Sequence, residues 1–249
     1  MKGKKIIWGI IFFIAMLVIA GATCFIVLHF FSDNDSKEYI KPTAVSQANT
    51  AENHNIDWNK LHEKNKDVYS WIYIPGTKVD YAVVQPPKGQ SDLYYLDKNL
   101  NKEYEFAGSI FSERMNKKDY SDPVTVLYGH NMLNGSMFAT LHKFKQPKFF
   151  KKHKKMYVYQ PNRRITYKVY SAYTYDDRHI MNSFDFSDGK ILKQYQKSTL
   201  KPKALDKNVR KKTKLDANSK ILTLSTCTSG ASNTRYLVQG VLIKDERTN

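Results

Sequence analysis

Eight short runs rich in β-branched and aromatic residues, separated by turn-forming stretches, constrain most strongly what this chain can fold into. They are Val68 to Ile74, Val79 to Val84, Gly108 to Phe111, Val124 to Tyr128, Lys155 to Gln160, Ile165 to Tyr173, Lys220 to Thr226 and Tyr236 to Ile243. Side chains branched at Cβ lose rotamer freedom against a helical turn but pack well on a pleated surface, so such runs read as strands. The segments between them agree. Pro75-Gly76-Thr77 and Pro86-Pro87 are turn or breaker sequences, and Pro161-Asn162-Arg163-Arg164 is expected to join a hairpin. Many short strands must hide their edges, and a closed or nearly closed β-barrel does this. The expected fold class is therefore mostly β with peripheral helices.

Three helical segments are expected beside the strands. Asp57 caps a short one that opens at Trp58. Residues 136–153 carry Met137, Leu141, Phe144 and Phe149 on one face. Residues 186–205, with Ile191, Leu192, Tyr195 and Leu200 at helical spacing, read as a helix inserted between strands.

The N-terminus sets a second constraint. Three lysines within Met1 to Lys5 precede about 26 uncharged, mostly apolar residues, Ile6 to Phe31. A helix of that length crosses a ~30 Å hydrocarbon core. A cleaved signal has an apolar region of only ~7–15 residues. A lipoprotein signal ending at Cys24 fits poorly with Thr23 directly before it and with the apolar stretch running on to Phe31. Lysines before the run place the N-terminus inside and the remainder outside the cytoplasm. The polar residues 32–53 read as a flexible stalk. The expected organisation is 1–31 as a Lys-rich tip and transmembrane anchor, 32–53 as stalk, and 54–249 as the catalytic domain.

The formal net charge is +17, from 40 Lys plus Arg against 23 Asp plus Glu. It is spread along the chain with no helix-turn-helix, zinc-ligand spacing or aromatic RNA-binding signature, so nucleic acid is not an expected partner. A solvated basic surface, facing a polyanionic cell envelope if it faces anything, suits an exported chain better. Of the two cysteines, Cys24 lies in the apolar run, which leaves Cys227 as the single unpaired thiol of the exported part.

Cys227 ends the β-run Ile221-Leu222-Thr223-Leu224-Ser225-Thr226, and after the loop 228–234 the chain returns through Arg235-Tyr236-Leu237-Val238. A thiol at a strand end is held rigidly yet is reachable. A guanidinium at the start of the neighbouring antiparallel strand favours the thiolate and can hold an oxyanion. His130 follows the strand Val124 to Tyr128 through Gly129, which puts an imidazole on a barrel rim. The other exported histidines, His54, His62, His142, His153 and His179, stand in polar or Lys-rich settings and are expected to be solvated.

Thr223-Leu224-Ser225-Thr226-Cys227 with Arg235 eight residues later, together with Tyr128-Gly129-His130, resembles the sortase family. The resemblance is closest to class B. Asn65 to Thr77, Gly108-Ser109-Ile110-Phe111, Met137-Phe138 and the inserted helix near 186–205 share it. It implies an eight-stranded sortase-type barrel and a membrane-anchored cysteine transpeptidase of Gram-positive surfaces, working outside the cytoplasm. Its partners would be secreted proteins with a C-terminal sorting signal, of Asn-Pro-x-Thr type in this class, and a peptidoglycan amine. By the same resemblance Cys227 is the nucleophile, His130 the general acid and base, and Arg235 the oxyanion stabiliser. Leu96, Ile180, Ser225 and Thr223 would line the substrate groove, and the Thr228 N–H would donate to an oxyanion, although some relatives carry an acidic residue at that position. No cofactor and no metal are expected. A sortase of another class, an L,D-type cysteine transpeptidase and a non-catalytic wall-binding protein are the alternatives.

Overall fold

In the computed structural model of the protein, each of the eight expected β-runs is a strand. The structure describes Met16, Val18, residues 54–228 and residues 233–248. The expected anchor and stalk lie outside these residues, apart from Met16 and Val18, which are helical and exposed. Among the described residues no helix is long and apolar enough to cross a membrane. The chain divides into two compact units, Met1–Asp35 and Ser36–Asn249, and all that follows concerns the second.

The strands are β1 (Val68–Tyr73), β2 (Asp80–Val84), β3 (Ile110–Phe111), β4 (Val124–Tyr128), β5 (Lys155–Gln160), β6 (Arg163–Asp176), β7 (Asn208–Val209), β8 (Ile221–Cys227) and β9 (Thr234–Arg247). They pair in the order β5-β1-β2-β3-β4-β8-β9-β6-β7, and β5 also pairs with β6. That last pairing closes eight strands into a ring and removes their edges, while the two-residue β7 hangs from the second half of β6. The hairpin between β5 and β6 is tighter than expected. Gln160 faces Arg163 in register and Asn162 takes the left-handed conformation, with φ of 56°.

Alternation along the strands separates the core inside the barrel from the clusters on its outer face. Leu222, Leu224, Tyr236 and Val238 point into the barrel with Ile72, Val83, Leu127, Val158 and Ile165. Val124, Val126, Ile221, Leu237 and Tyr170 point outward, where helices cover them. Most of β4 and β8 and the middles of β6 and β9 are thus buried on both faces. Each fully buried aliphatic side chain contributes on the order of 1.5–3 kcal/mol.

Helix α1 (Trp58–Lys64) begins as expected, with Asp57 accepting from the Lys60 N–H. The segment 136–153 is not one helix. A 3-10 helix spans Ala139–Lys145 and α2 spans Pro147–Lys152. The Pro147 ring disfavours helical geometry at the residue before it, and Gln146 is extended, with φ −79° and ψ 120°. The inserted segment is likewise two helices, α3 (Ile180–Ser183) and α4 (Gly189–Leu200). Asp188 caps α4 through the Lys190 and Ile191 N–H groups, and the helix stops just before Pro202.

Two glycines bring the chain close around His130. A side chain at Gly129 would collide with Ile110 and Phe138, and one at Gly108 (φ 59°) would collide with the Leu96 carbonyl. Gly129→Ala is therefore expected to destabilise the protein by ~1–3 kcal/mol through overpacking. Thermal denaturation of the variant beside wild type checks this, and an unchanged melting temperature would contradict it.

Candidate active site

The register places two of the three candidate residues side by side and brings the strand before the third to the same rim. Strand β4 runs parallel to β8, with Tyr128 beside Ser225, and β8 runs antiparallel to β9, with Ser225 beside Leu237 and Cys227 beside Arg235. His130 stands two residues beyond Tyr128 just as Cys227 stands two beyond Ser225. Cys227 and Arg235 therefore lie one pleat above the row Tyr128–Ser225–Leu237, and His130 follows the end of β4 at the same rim. Side chains two residues apart share a face, and Leu237 belongs to the outer core. Cys227 and Arg235 thus project on the outer face of the sheet, at its rim. Cys227 is exposed and unpaired, and Arg235 is half-buried and donates to the Thr234 carbonyl at 3.1 Å.

The His130 ring is oriented from two sides. It stacks on Phe106, with centroids 5.8 Å apart, and its Nε2 lies 2.8 Å from the Leu96 carbonyl oxygen. A carbonyl can only accept, so Nε2 carries the proton and Nδ1 is the nitrogen left to exchange one. Gly108 permits the close backbone packing that presents this carbonyl.

Sequence reasoning missed a second histidine at the site. His142, from the 3-10 helix, places Nε2 at 3.1 Å from the Cys227 carbonyl and packs on Tyr236. Its pKa is lowered by burial, which favours the neutral ring. The proton on Nε2 is donated to the carbonyl, fixing the peptide plane directly after the thiol. In the same plane the Thr228 N–H, expected to face an oxyanion, is turned to the Thr234 carbonyl at 3.3 Å, and the two threonine hydroxyls also hydrogen-bond. Arg235 is left as the polar group directly opposite Cys227.

The expected groove residues divide. Leu96 is exposed beside His130. Ser225 and Ile180 are buried, and Thr223 is fully buried with its hydroxyl accepting from Gln239 Nε2 at 3.1 Å. In this conformation Thr223 belongs to the core beneath Tyr195.

The histidines expected to be solvated are all at least partly buried. The His54 side chain is fully buried, stacks on Tyr159 and bonds Asp80 at 2.9 Å. His62 faces the Val68 carbonyl at 3.1 Å, and His153 stacks on Phe149. His179 pairs with the buried carboxylate of Glu113 at 2.6 Å. Lysines nearby in sequence pointed to solvent, whereas His54 and His179 are claimed by carboxylates far along the chain, and His62 and His153 by groups four to six residues away. Among the described residues no group of three or more His, Cys, Asp or Glu is placed to hold a metal ion.

The family model for the sortase domain matches residues 72–243. The chain belongs to the sortase family. Sortase B of Staphylococcus aureus (strain NCTC 8325 / PS 47) is 30% identical over 191 residues, 75% of each chain. Sortase B of Listeria monocytogenes serovar 1/2a is 28% identical over 219 residues, 85% of this chain and 83% of that one. The crystal structure of Clostridium perfringens sortase B superposes with a TM-score of 0.64 at 32% identity, covering 75% of this chain and 99% of the other. A Staphylococcus aureus sortase B–substrate complex superposes with a TM-score of 0.65 at 28% identity, covering 76% and 85%. This sortase is of class B, and sortases of this class are cysteine transpeptidases.

One titration follows from the buried pair. Burial raises the Glu113 carboxyl above its ordinary value of 4.5, with His179 opposing the shift. A carboxyl raised by folding favours the native state fully below its unfolded pKa, and that contribution is lost as pH rises through the native value. Glu113→Gln should therefore gain stability over wild type as pH rises from about 4.5 towards neutrality, and match it under more acid conditions. Urea unfolding across that range checks the sign, and a gain confined to acid pH would contradict it.

Proposed function

We propose that this sortase is anchored in the membrane by residues 6–31 with its N-terminus inside, and that it joins secreted proteins to the cell wall. It cleaves a C-terminal sorting signal of Asn-Pro-x-Thr type and transfers the new carboxyl terminus to a peptidoglycan amine. The observation that carries this reading is the pairing of Cys227 with Arg235 at the rim where β4 ends two residues before His130.

The steps follow from covalent acyl transfer. The Cys227 thiolate attacks the carbonyl carbon of the signal's fourth residue. Arg235, opposite the thiol, holds the oxyanion of the tetrahedral intermediate. His130 gives a proton to the departing amine, the peptide bond breaks, and a thioester forms. The wall amine then attacks the thioester and loses a proton to His130, which releases the thiolate, restores the protonated imidazole and leaves a new amide. The exchangeable Nδ1 of His130 serves both transfers while Nε2 stays with Leu96. The substrate complex of the Staphylococcus aureus relative supports a peptide signal as the first substrate.

A fluorogenic-peptide assay on residues 32–249 tests the reading, with Asn-Pro-x-Thr and Leu-Pro-x-Thr-Gly peptides in parallel. Turnover with preference for the first is expected. Cys227→Ala should abolish it, His130→Ala should lower it by ~10²–10⁴-fold and Arg235→Ala by ~10²–10³-fold. Absence of turnover by the folded wild type would overturn the reading. Preference for Leu-Pro-x-Thr-Gly would overturn the signal assignment, and an unaffected Arg235→Ala would remove Arg235 from the site.

A further inference from the structure

The segment after β6 crosses the sheet immediately below the catalytic row. Tyr175 at the end of β6 pairs with Arg235, yet four residues later the His179 ring stacks on Tyr128 of β4, with centroids 6.2 Å apart and planes at 29°. Strands β9 and β8 lie between β6 and β4. Residues 177–183 therefore form a strap over the outer face, and Ile180 is buried within it in the cluster that holds Leu237 and Tyr173. The level at which the strap crosses is that of Tyr128, Ser225 and Leu237, one pleat from Cys227.

Glu113 holds the far end of this strap. Its backbone carbonyl accepts from Gln85 Nε2 at 2.9 Å and from the Asn116 N–H at 3.0 Å, so its main chain is fixed to the barrel. Its side chain is buried, and Oε1 lies 2.6 Å from His179 Nε2. The other ring nitrogen, Nδ1, accepts the Asn182 N–H at 3.1 Å and caps α3. A nitrogen that accepts a backbone N–H holds no proton, so the ring proton is on Nε2 and points at the carboxylate. One imidazole thus bridges a buried carboxylate and the first turn of the strap while lying against Tyr128. Asp92, which pairs with Arg114 at 3.4 Å, adds negative charge near Glu113, so His179 is the group that offsets this carboxylate.

We propose that Glu113 is a positioning residue for the peptide groove: acting through His179, it locks the strap 177–183 across the sheet and sets the wall against which the sorting signal lies beside Cys227. The proposal rests on the transpeptidase reading given above. It assigns the His179–Glu113 pair no part in bond making, which stays with the row above it.

The test compares Glu113→Ala, Glu113→Gln and His179→Asn with wild type. Glutamine keeps an oxygen that accepts the His179 proton. Asparagine at 179 keeps the helix cap but is too short to reach Glu113. Glu113→Ala and His179→Asn should each raise KM for the Asn-Pro-x-Thr peptide about tenfold, the equivalent of one charged hydrogen bond. Expected alongside are an unchanged kcat, an unchanged rate of Cys227 alkylation by iodoacetamide, and restoration of KM in Glu113→Gln. Amide hydrogen exchange at Asn182 and Ser183 should accelerate in Glu113→Ala and not in Glu113→Gln. Unchanged exchange would overturn the lock whatever the activity shows. Faster exchange with an unchanged KM, or a fall in kcat alone, would overturn its role in the groove. Absence of turnover in wild type would count against the transpeptidase reading and the groove with it, while exchange would still decide whether Glu113 holds the strap.

Discussion

The parallel pairing of β4 with β8 is the constraint on which the site depends. Parallel neighbours end at the same rim, so the residues just past Tyr128 and Ser225 come to one edge of the barrel although 97 positions separate those two in the chain. The antiparallel return through β9 then sets Arg235 against Cys227. Parallel strands need a long crossover. Here β5, β6, β7 and the helical insertion all fall within it, so the elements that close the barrel and cover its outer face belong to the connection that aligns His130 with Cys227.

Burial on both faces of β4, β8 and β9 makes that alignment rigid. A register slip of one residue would exchange the inward Leu222 and Leu224 for the outward Thr223 and Ser225, turning polar groups into the barrel. The same two-sided burial leaves only the strand ends free to meet a substrate. The rim groups are held from behind, His130 by the Leu96 carbonyl and Phe106, and the Cys227 peptide by His142. The thiol itself remains exposed.

Much of the barrel was legible in the sequence because β-branched and aromatic runs broken by Pro, Gly and Asn leave few other folds. The helical stretch 136–153 was misjudged because the apolar spacing of Met137, Leu141, Phe144 and Phe149 continues across Pro147, and the backbone effect of a proline outweighs the pattern. In the candidate site, the pairing of Cys227 with Arg235 was readable from a short hairpin, where sequence neighbours are spatial neighbours. His142, His179 and Glu113 were not. Their partners lie 85 positions away for His142 and 66 for the His179–Glu113 pair, and a histidine among lysines carries no local sign that a distant carbonyl or carboxylate claims it. The direction of the Thr228 amide was not legible for a related reason, since it is set by the hairpin partner Thr234.

The central claim is that Cys227 carries a peptidyl thioester. Intact-mass and peptide-mapping spectrometry of residues 32–249, quenched in acid during turnover of an Asn-Pro-x-Thr peptide without acceptor amine, measures it directly. The account predicts one adduct with the mass of the signal cleaved after its fourth residue, located on Cys227, removed by hydroxylamine and absent in Cys227→Ala. Steady turnover with an adduct on another residue, or an adduct that persists in Cys227→Ala, would contradict it.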